Sequence, residues 1–224
     1  MDFVGTGKKL VGQDLIDAAT ALGTDVAVVR AVLEVEAAGA GFDDKKRPKI
    51  LFEPHVFYKQ LGPGAKRTEA VSKGLAYQKW GSKPYPKKSD DRYKQLAGAS
   101  AIDEKAALNS ASWGLPQIMG FNAGTAGFAS AKAMASSMMK GEREQLLAFV
   151  SYLKGSKIAK HLVKKDWKAF ALAYNGSGAL THGYDKKLKA AYDKFSKAAA
   201  TVLMKPKTNK TFLFAQKFKL NQNA

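Results

Sequence analysis

Cysteine is absent from this sequence of 224 residues, and histidine occurs only three times. Without cysteine, the chain forms no disulfide bond and offers no thiolate ligand to a metal ion. The histidines are isolated from one another along the chain, at His55, His161 and His182. We therefore expect no metal site built on cysteine or histidine.

Long apolar runs are absent as well. No run approaches the roughly 18 apolar residues that a membrane-spanning helix needs. The N-terminus, Met1-Asp2-Phe3-Val4-Gly5, lacks the basic start and the apolar stretch of a secretory signal. Hydrophobic residues still make up 46% of the chain, which is enough to build a core. The sequence thus predicts a folded domain with neither a signal peptide nor a transmembrane segment.

Acidic residues are scarce: 19 Asp and Glu stand against 37 Lys and Arg, so the formal net charge is +18. A surface this basic attracts polyanions such as nucleic acid, anionic lipid, or an acidic polymer of the cell wall or outer membrane. Most of the excess is lysine, spread along the whole chain. Scattered lysine favours non-specific attraction over base recognition, so we expect no specific nucleic-acid partner.

The stretch from residue 26 to residue 36 predicts a helix that carries an acid on its apolar face. This face, read at helical spacing, consists of Val26, Val29, Leu33 and Glu36. Thr24 is the predicted N-cap. Burial on this face would raise the pKa of Glu36, as a general acid that works near neutral pH requires. The alternative interpretation is a helix-end glutamate that pairs with a lysine.

Helical periodicity also accounts for most of the remaining chain. Further helices are predicted at 11–22, 55–61, 90–111 with a break near Gly98, 130–139, 142–154, 158–164, 167–174 and 186–203. The short apolar segment 49–53 ends in a second acid, Glu53, and is either a strand or an extended entry into the next helix. Residues 1–10 form a loose lead-in, and residues 62–89 form an irregular basic stretch.

Aromatic residues alternate with lysines in that irregular stretch. Tyr77, Trp80 and Tyr85 lie among Lys79, Lys83, Lys87 and Lys88. Such a pattern suits stacking on sugars or on single-stranded nucleic acid, and it equally suits the packing of a long loop.

Three motifs follow in a fixed order: Glu36-Ala37-Ala38-Gly39, Ser112-Trp113-Gly114-Leu115-Pro116-Gln117-Ile118 and Ala173-Tyr174-Asn175-Gly176. Their order resembles that of goose-type lysozymes and soluble lytic transglycosylases, in the lysozyme-like superfamily. The residue pattern within 35–57, 110–122 and 166–185 is similar to that of the N-acetylmuramidase domain of modular phage endolysins. The resemblance implies a mainly α, α+β lysozyme-like fold: one helical domain with a substrate cleft and a small β element after the catalytic helix.

The resemblance assigns roles to five residues, and a sixth, Glu53, is selected from six candidate carboxylates, the others being Asp43, Asp44, Asp90, Asp91 and Asp103, because it ends an apolar segment and matches a motif position. Glu36 matches the catalytic general acid, and Glu53 is the strongest candidate for a second catalytic carboxylate. The alternative for Glu53 is a partner of an Arg or Lys that holds the loop. The motif positions that line the sugar groove are Ser112, Gln117, Tyr174 and Asn175.

Two positions depart from the pattern of the superfamily. Ala37 replaces the usual serine, so any role of a hydroxyl group at that position is lost. Pro116 stands where methionine or a similar residue is usual.

The resemblance implies a phage endolysin, a muramidase that hydrolyses β-1,4 bonds between N-acetylmuramic acid and N-acetylglucosamine without a cofactor or metal. It would be a monomer that acts on peptidoglycan, attracted through its basic surface to lipopolysaccharide. It would stay in the host cytoplasm until a holin-type pore releases it. The alternatives are a lytic transglycosylase that forms 1,6-anhydro products, a basic nucleic-acid-binding protein and a non-catalytic cell-wall-binding protein. We expect a catalytic domain over residues 1–204 and a basic appendage over 205–224.

Overall fold

The computed structural model describes residues 2–37 and 39–204, with side chains described as far as residue 198. Within this part the chain forms ten α-helices and one small sheet. The helices are α1 (Gly12–Leu22), α2 (Val26–Glu36), α3 (Pro54–Leu61), α4 (Ala65–Ser72), α5 (Ser89–Asn109), α6 (Ala131–Met138), α7 (Glu142–Gly155), α8 (Ala159–Val163), α9 (Trp167–Asn175) and α10 (Tyr184–Met204). The predicted mainly α, lysozyme-like fold is confirmed. The predicted appendage at 205–224 lies outside the described residues.

Helix α2 has the predicted extent, but its N-cap is not the predicted one. The Asp25 side chain accepts a hydrogen bond of 2.9 Å from the backbone N–H of Val28. Asp25, rather than Thr24, therefore satisfies the free N–H groups of the first turn. The helix ends at Glu36 because Ala37 takes an extended conformation. Its buried face packs along α1 and α10.

The sheet is antiparallel, in the order β1 (Ile50–Phe52), β2 (Ala111–Trp113) and β3 (Ile118–Met119). Of the two alternatives left open for 49–53, the structure shows the strand, and Pro54 begins α3 as its first residue. Strands β2 and β3 come from the second motif and were not predicted. A tight turn joins them, and Gly114 adopts a positive φ of 69° within it.

Helix α5 is interrupted at Asp103, not at the predicted Gly98. Asp103 has an extended conformation (φ −157°, ψ 102°), and its side chain accepts a 2.9 Å hydrogen bond from the N–H of Ala106. Asp103 therefore caps a second helical segment. Gly98 lies within the regular helix, where a Cβ atom would come within 3.3 Å of the Leu75 side chain. The glycine thus serves close packing and does not break the helix.

The core centres on Trp113, which is fully buried and donates a 3.1 Å hydrogen bond from its indole N–H to the carbonyl of Leu108. Residues 2–11 have no regular secondary structure, but contacts with the rest of the domain hold them in place. The Phe3 ring lies 5.2 Å from the Trp113 ring, and the N–H of Thr6 donates to Met139. Across the described helices, none is both long and apolar enough to cross a membrane.

Candidate active site

Glu36 opens onto a cleft of about 370 Å³ between the end of α2, the β2–β3 turn and the end of α9. Of the described residues that line the cleft, Glu36 is the one carboxylate. The polar part of the lining consists of Glu36, Gln117, Asn122, Tyr152, Tyr174 and Asn175. The structure thus brings together four of the six residues that the sequence predicts for the site. Asn122 and Tyr152 are additions.

Asn175 holds the Glu36 carboxyl group from across the cleft. Its Nδ2 donates a 2.9 Å hydrogen bond to Glu36 Oε1. Asn175 is the last residue of α9, which Asp166 caps at its start by accepting from the N–H of Ala169. Gly176, with a φ of 79°, then turns the chain away, so the Asn175 side chain is presented at the helix end.

Burial raises the pKa of Glu36 above its ordinary value. The hydrogen bond from Asn175 and the positive charge of Lys187 both oppose this shift, but the loss of hydration outweighs them. The alternative interpretation of Glu36, a helix-end glutamate that pairs with a lysine, instead describes Glu34. The Glu34 carboxylate lies 2.7 Å from Lys194 Nζ. Glu36 itself has no ion pair within the described part of the chain.

Tyr174 belongs to both the core and the cleft. Its ring stacks on Phe170 at 5.5 Å and meets the edge of Phe149 at 5.6 Å. Its hydroxyl donates a 3.2 Å hydrogen bond to the carbonyl of Pro116, on the facing wall of the cleft. Burial raises the pKa of Tyr174, so the phenol keeps its proton and remains a donor. The contact links α9 to the β2–β3 turn.

Gln117 lines the cleft, but hydrogen bonds within the protein occupy its amide group. Its Nε2 donates to the carbonyls of Gly114 (2.7 Å) and Lys49 (3.2 Å), and its Oε1 accepts from Ser112 Oγ (2.8 Å). Ser112 is buried and does not line the cleft. Gln117 also has a positive φ of 51°, a conformation that costs a non-glycine residue about 1–3 kcal/mol. These bonds offset that cost and fix the turn.

Glu53 lies outside the lining of this cleft. Its carboxylate accepts a hydrogen bond from the Tyr85 hydroxyl, and its Oε2 lies 3.2 Å from His55 Nδ1. Tyr85 belongs to the aromatic, lysine-rich loop between α4 and α5, on which Trp80 is 72% exposed. The role of Glu53 as second catalytic carboxylate stays a prediction.

Two polar residues on α7, which the sequence analysis did not single out, hold the loop after α2 and the β2–β3 turn, and that turn is one wall of the cleft. Gln145 is completely buried; its Oε1 accepts from the N–H of Leu115 (2.7 Å), and its Nε2 donates to the carbonyls of Met138 (3.1 Å) and Gly41 (3.4 Å). Glu142 is buried too, and accepts from the N–H of Gly41 at 2.8 Å. The loop after α2 and the β2–β3 turn are therefore fixed to one helix.

Two other features bear on ligands. A larger cavity of about 570 Å³ contains none of the motif residues, and its Arg47 is paired with Asp43 and Asp90. We place the site at the smaller cleft because the motif residues and the buried acid meet there. No group of three or more Asp, Glu or His residues in the described chain is arranged to hold a metal ion.

Comparison with known proteins identifies the family to which the chain belongs. The family model described as N-acetylmuramidase matches residues 25–196. A solved structure, the crystal structure of the Burkholderia AP3 phage endolysin, is 39% identical, with a TM-score of 0.77 over 87% of this chain and 73% of that one. No curated protein matches the chain significantly. The predicted resemblance is confirmed: the chain belongs to the N-acetylmuramidase family of peptidoglycan-cleaving glycosidases.

Proposed function

We propose that this chain is a phage endolysin in which Glu36 is the general acid. In this role the enzyme hydrolyses the β-1,4 bond between N-acetylmuramic acid and N-acetylglucosamine. The observation that carries the proposal is the Glu36 carboxyl group, which is partly buried at a helix end, has a raised pKa and is oriented by Asn175 in a cleft.

Cleavage of a glycosidic bond requires a proton at the leaving oxygen while positive charge develops on the sugar ring. A carboxyl group with a raised pKa keeps that proton closer to neutral pH than an exposed glutamic acid does. Because Oε1 of Glu36 accepts from Asn175, we infer that Oε2 carries the proton. Asn175 therefore fixes the oxygen from which the proton leaves.

The sugar would contact the polar groups of the cleft that hydrogen bonds within the protein do not occupy. The amide of Gln117 is committed to the β2–β3 turn, and Ser112 supports Gln117 from below the surface. Asn122 and Tyr152 also line the cleft and have the donors and acceptors that an N-acetyl group or a sugar hydroxyl needs. We propose these two residues as further sugar contacts.

For Glu53 we propose the role of a loop anchor. Its side chain is 16% exposed and faces Tyr85 and His55, so it holds the loop between α4 and α5 and does not contact the lining of the cleft. This resembles the alternative weighed from the sequence, with a tyrosine in place of the expected Arg or Lys. The anchored loop carries Trp80 and its neighbouring lysines toward solvent.

The formal net charge of +18 supports attraction of the enzyme to anionic lipopolysaccharide. We further propose a monomer that leaves the host cytoplasm through a holin-type pore, with catalysis confined to residues 1–204 and surface attraction added by 205–224. Binding to lipopolysaccharide should weaken steeply as salt is raised. Gel filtration tests the monomer, and deletion of residues 205–224 tests the appendage.

Loss of turbidity of outer-membrane-permeabilised Gram-negative cells tests the proposed function. Wild type and the Glu69→Gln variant, which changes an exposed glutamate paired with Lys73, should lyse the cells at equal rates. Glu36→Gln should not lyse them. Equal lysis by all three proteins would contradict the role of Glu36. No lysis by wild type, together with salt-dependent binding of duplex DNA, would instead favour a basic nucleic-acid-binding protein.

A further inference from the structure

A second groove lies against α10, and none of its lining residues lines the cleft. It has a volume of about 480 Å³ and runs between the end of α2 and the first turns of α10. It is lined by Glu34, Val35, Tyr184, Lys187, Ala191 and Lys194. Val35 directly precedes Glu36 along α2, and Lys187 lies close enough to act electrostatically on the Glu36 carboxyl group. The chemistry proposed above makes no use of it.

The charge of the groove is uneven along its length. Lys194 lies 2.7 Å from the Glu34 carboxylate, so these two charges compensate each other. Lys187 makes no ion pair in the described part of the chain; its ammonium group lies over the Tyr184 ring, 5.1 Å from the ring centre. Lys187 is also close enough to Glu36 to lower the pKa of that carboxyl group. The uncompensated positive charge of the groove therefore lies within electrostatic reach of Glu36.

The floor of the groove suits an extended peptide better than a sugar. Ala190 and Ala191 line it with methyl groups, and Ala191 is almost fully buried. The aromatic face of Tyr184 at one end is already covered by Lys187. A narrow chain with small side chains and a negative charge matches such a surface.

We propose that this groove binds the stem peptide of the substrate and that Lys187 pairs with a carboxylate of that peptide. The inference rests on the proposed function, because the N-acetylmuramic acid held beside Glu36 carries the peptide on its lactyl group. The peptide is attached to the same sugar ring that contributes the anomeric carbon of the scissile bond, and its free carboxylates are anions that an ammonium group binds. Lys187 is thus a specificity residue for peptide-bearing glycan over bare glycan.

The test compares Lys187→Gln with Lys189→Gln, both on α10. Lys189 is paired with Asp193 at 2.7 Å and does not line the groove, so its substitution controls for the loss of one charge. KM and kcat are measured on intact peptidoglycan and on the same glycan strands after an amidase has removed the stem peptides. Assays are run on the acidic side of the pH profile, where a shift in the pKa of Glu36 has no effect on rate.

Lys187→Gln should raise KM on intact peptidoglycan about three- to fivefold, the effect of losing one exposed ion pair. It should leave KM on stripped strands unchanged, and Lys189→Gln should change neither value. An equal change on both substrates, or no change on either, would overturn the inference while wild-type cleavage still supported the proposed function. Failure of wild type to cleave either substrate would refute the proposed function itself.

Discussion

Asn175 Nδ2 lies 2.9 Å from Glu36 Oε1, although 139 residues separate the two along the chain. The contact joins the end of α9 to the end of α2 across the cleft. It stabilises the ionised carboxylate and so lowers the pKa of Glu36, against the larger opposite effect of burial. One amide group thus orients the carboxyl group and limits the rise in its pKa.

The Asn175→Ala variant should separate these two effects. Loss of the hydrogen bond raises the pKa of Glu36, so the general acid stays protonated to higher pH. The alkaline limb of the kcat profile should therefore move to higher pH. Its plateau should fall roughly tenfold or more because the carboxyl group is no longer held in place.

Asn122→Ala is the matched control, since Asn122 lines the same cleft and is not hydrogen bonded to Glu36. Its alkaline limb should coincide with that of wild type. The role given to Asn175 would be contradicted if the alkaline limb of the Asn175→Ala profile stayed at its wild-type position or moved to lower pH.

Glu36→Gln should stabilise the fold at neutral pH. Because the pKa of Glu36 is raised in the folded state, the folded protein favours the protonated form. The stability that this group contributes is greatest at acid pH and is lost as pH rises through the raised pKa. The variant should therefore have a higher Tm than wild type at about pH 8, with the difference disappearing near about pH 4. A difference in Tm that is the same at both pH values would be inconsistent with a buried, titrating Glu36.

The Tyr85→Phe variant tests Glu53 as a loop anchor. Removing the hydroxyl leaves a partly buried carboxylate without its donor, which should lower the free energy of unfolding by about 1–3 kcal/mol in urea titrations. Glu53→Gln keeps an acceptor oxygen, so its kcat should stay within tenfold of wild type. A loss of about a thousandfold or more in Glu53→Gln would instead make Glu53 the second catalytic carboxylate.

Gln145→Leu tests how α7 holds the loop after α2 and the β2–β3 turn. The substitution leaves the N–H of Leu115 and the carbonyl of Met138 buried without partners. The free energy of unfolding should fall by about 1–3 kcal/mol for each such group. Gln13→Leu, at an exposed position on α1, should change it by less than about 0.5 kcal/mol. Equal stabilities of the two variants would show that Gln145 does not brace the cleft.

The helices and the acid could be predicted because both depend on local periodicity. A carboxylate on the apolar face of α2 marked Glu36, and the motif before Gly176 marked Asn175. Gln145 also lies among the buried residues of α7, which include Leu146 and Phe149. Without a motif, a buried glutamine on a helix has no distinguishing feature in the sequence.

The elements that the sequence analysis did not predict depend on contacts between residues that are distant in sequence. Strand β2 exists because Ser112 pairs with Leu51, and the tight turn that follows is held by Gln145. Helix α4 buries only Ala70 and has no apolar stripe, so periodicity does not detect it. The partner of Glu53 was also unpredictable, since Tyr85 lies in an irregular loop whose path follows no repeat.

The central claim is tested most directly by mass spectrometry of released muropeptides. Wild type and Glu36→Gln each digest purified peptidoglycan, and the released fragments are reduced with borohydride before they are analysed. If Glu36 protonates the leaving oxygen and water completes the reaction, wild type should release fragments with reducible N-acetylmuramic acid ends. Glu36→Gln should release essentially none. Fragments with 1,6-anhydro ends from wild type would contradict hydrolysis, and reducible fragments from Glu36→Gln at the wild-type rate would contradict the role of Glu36.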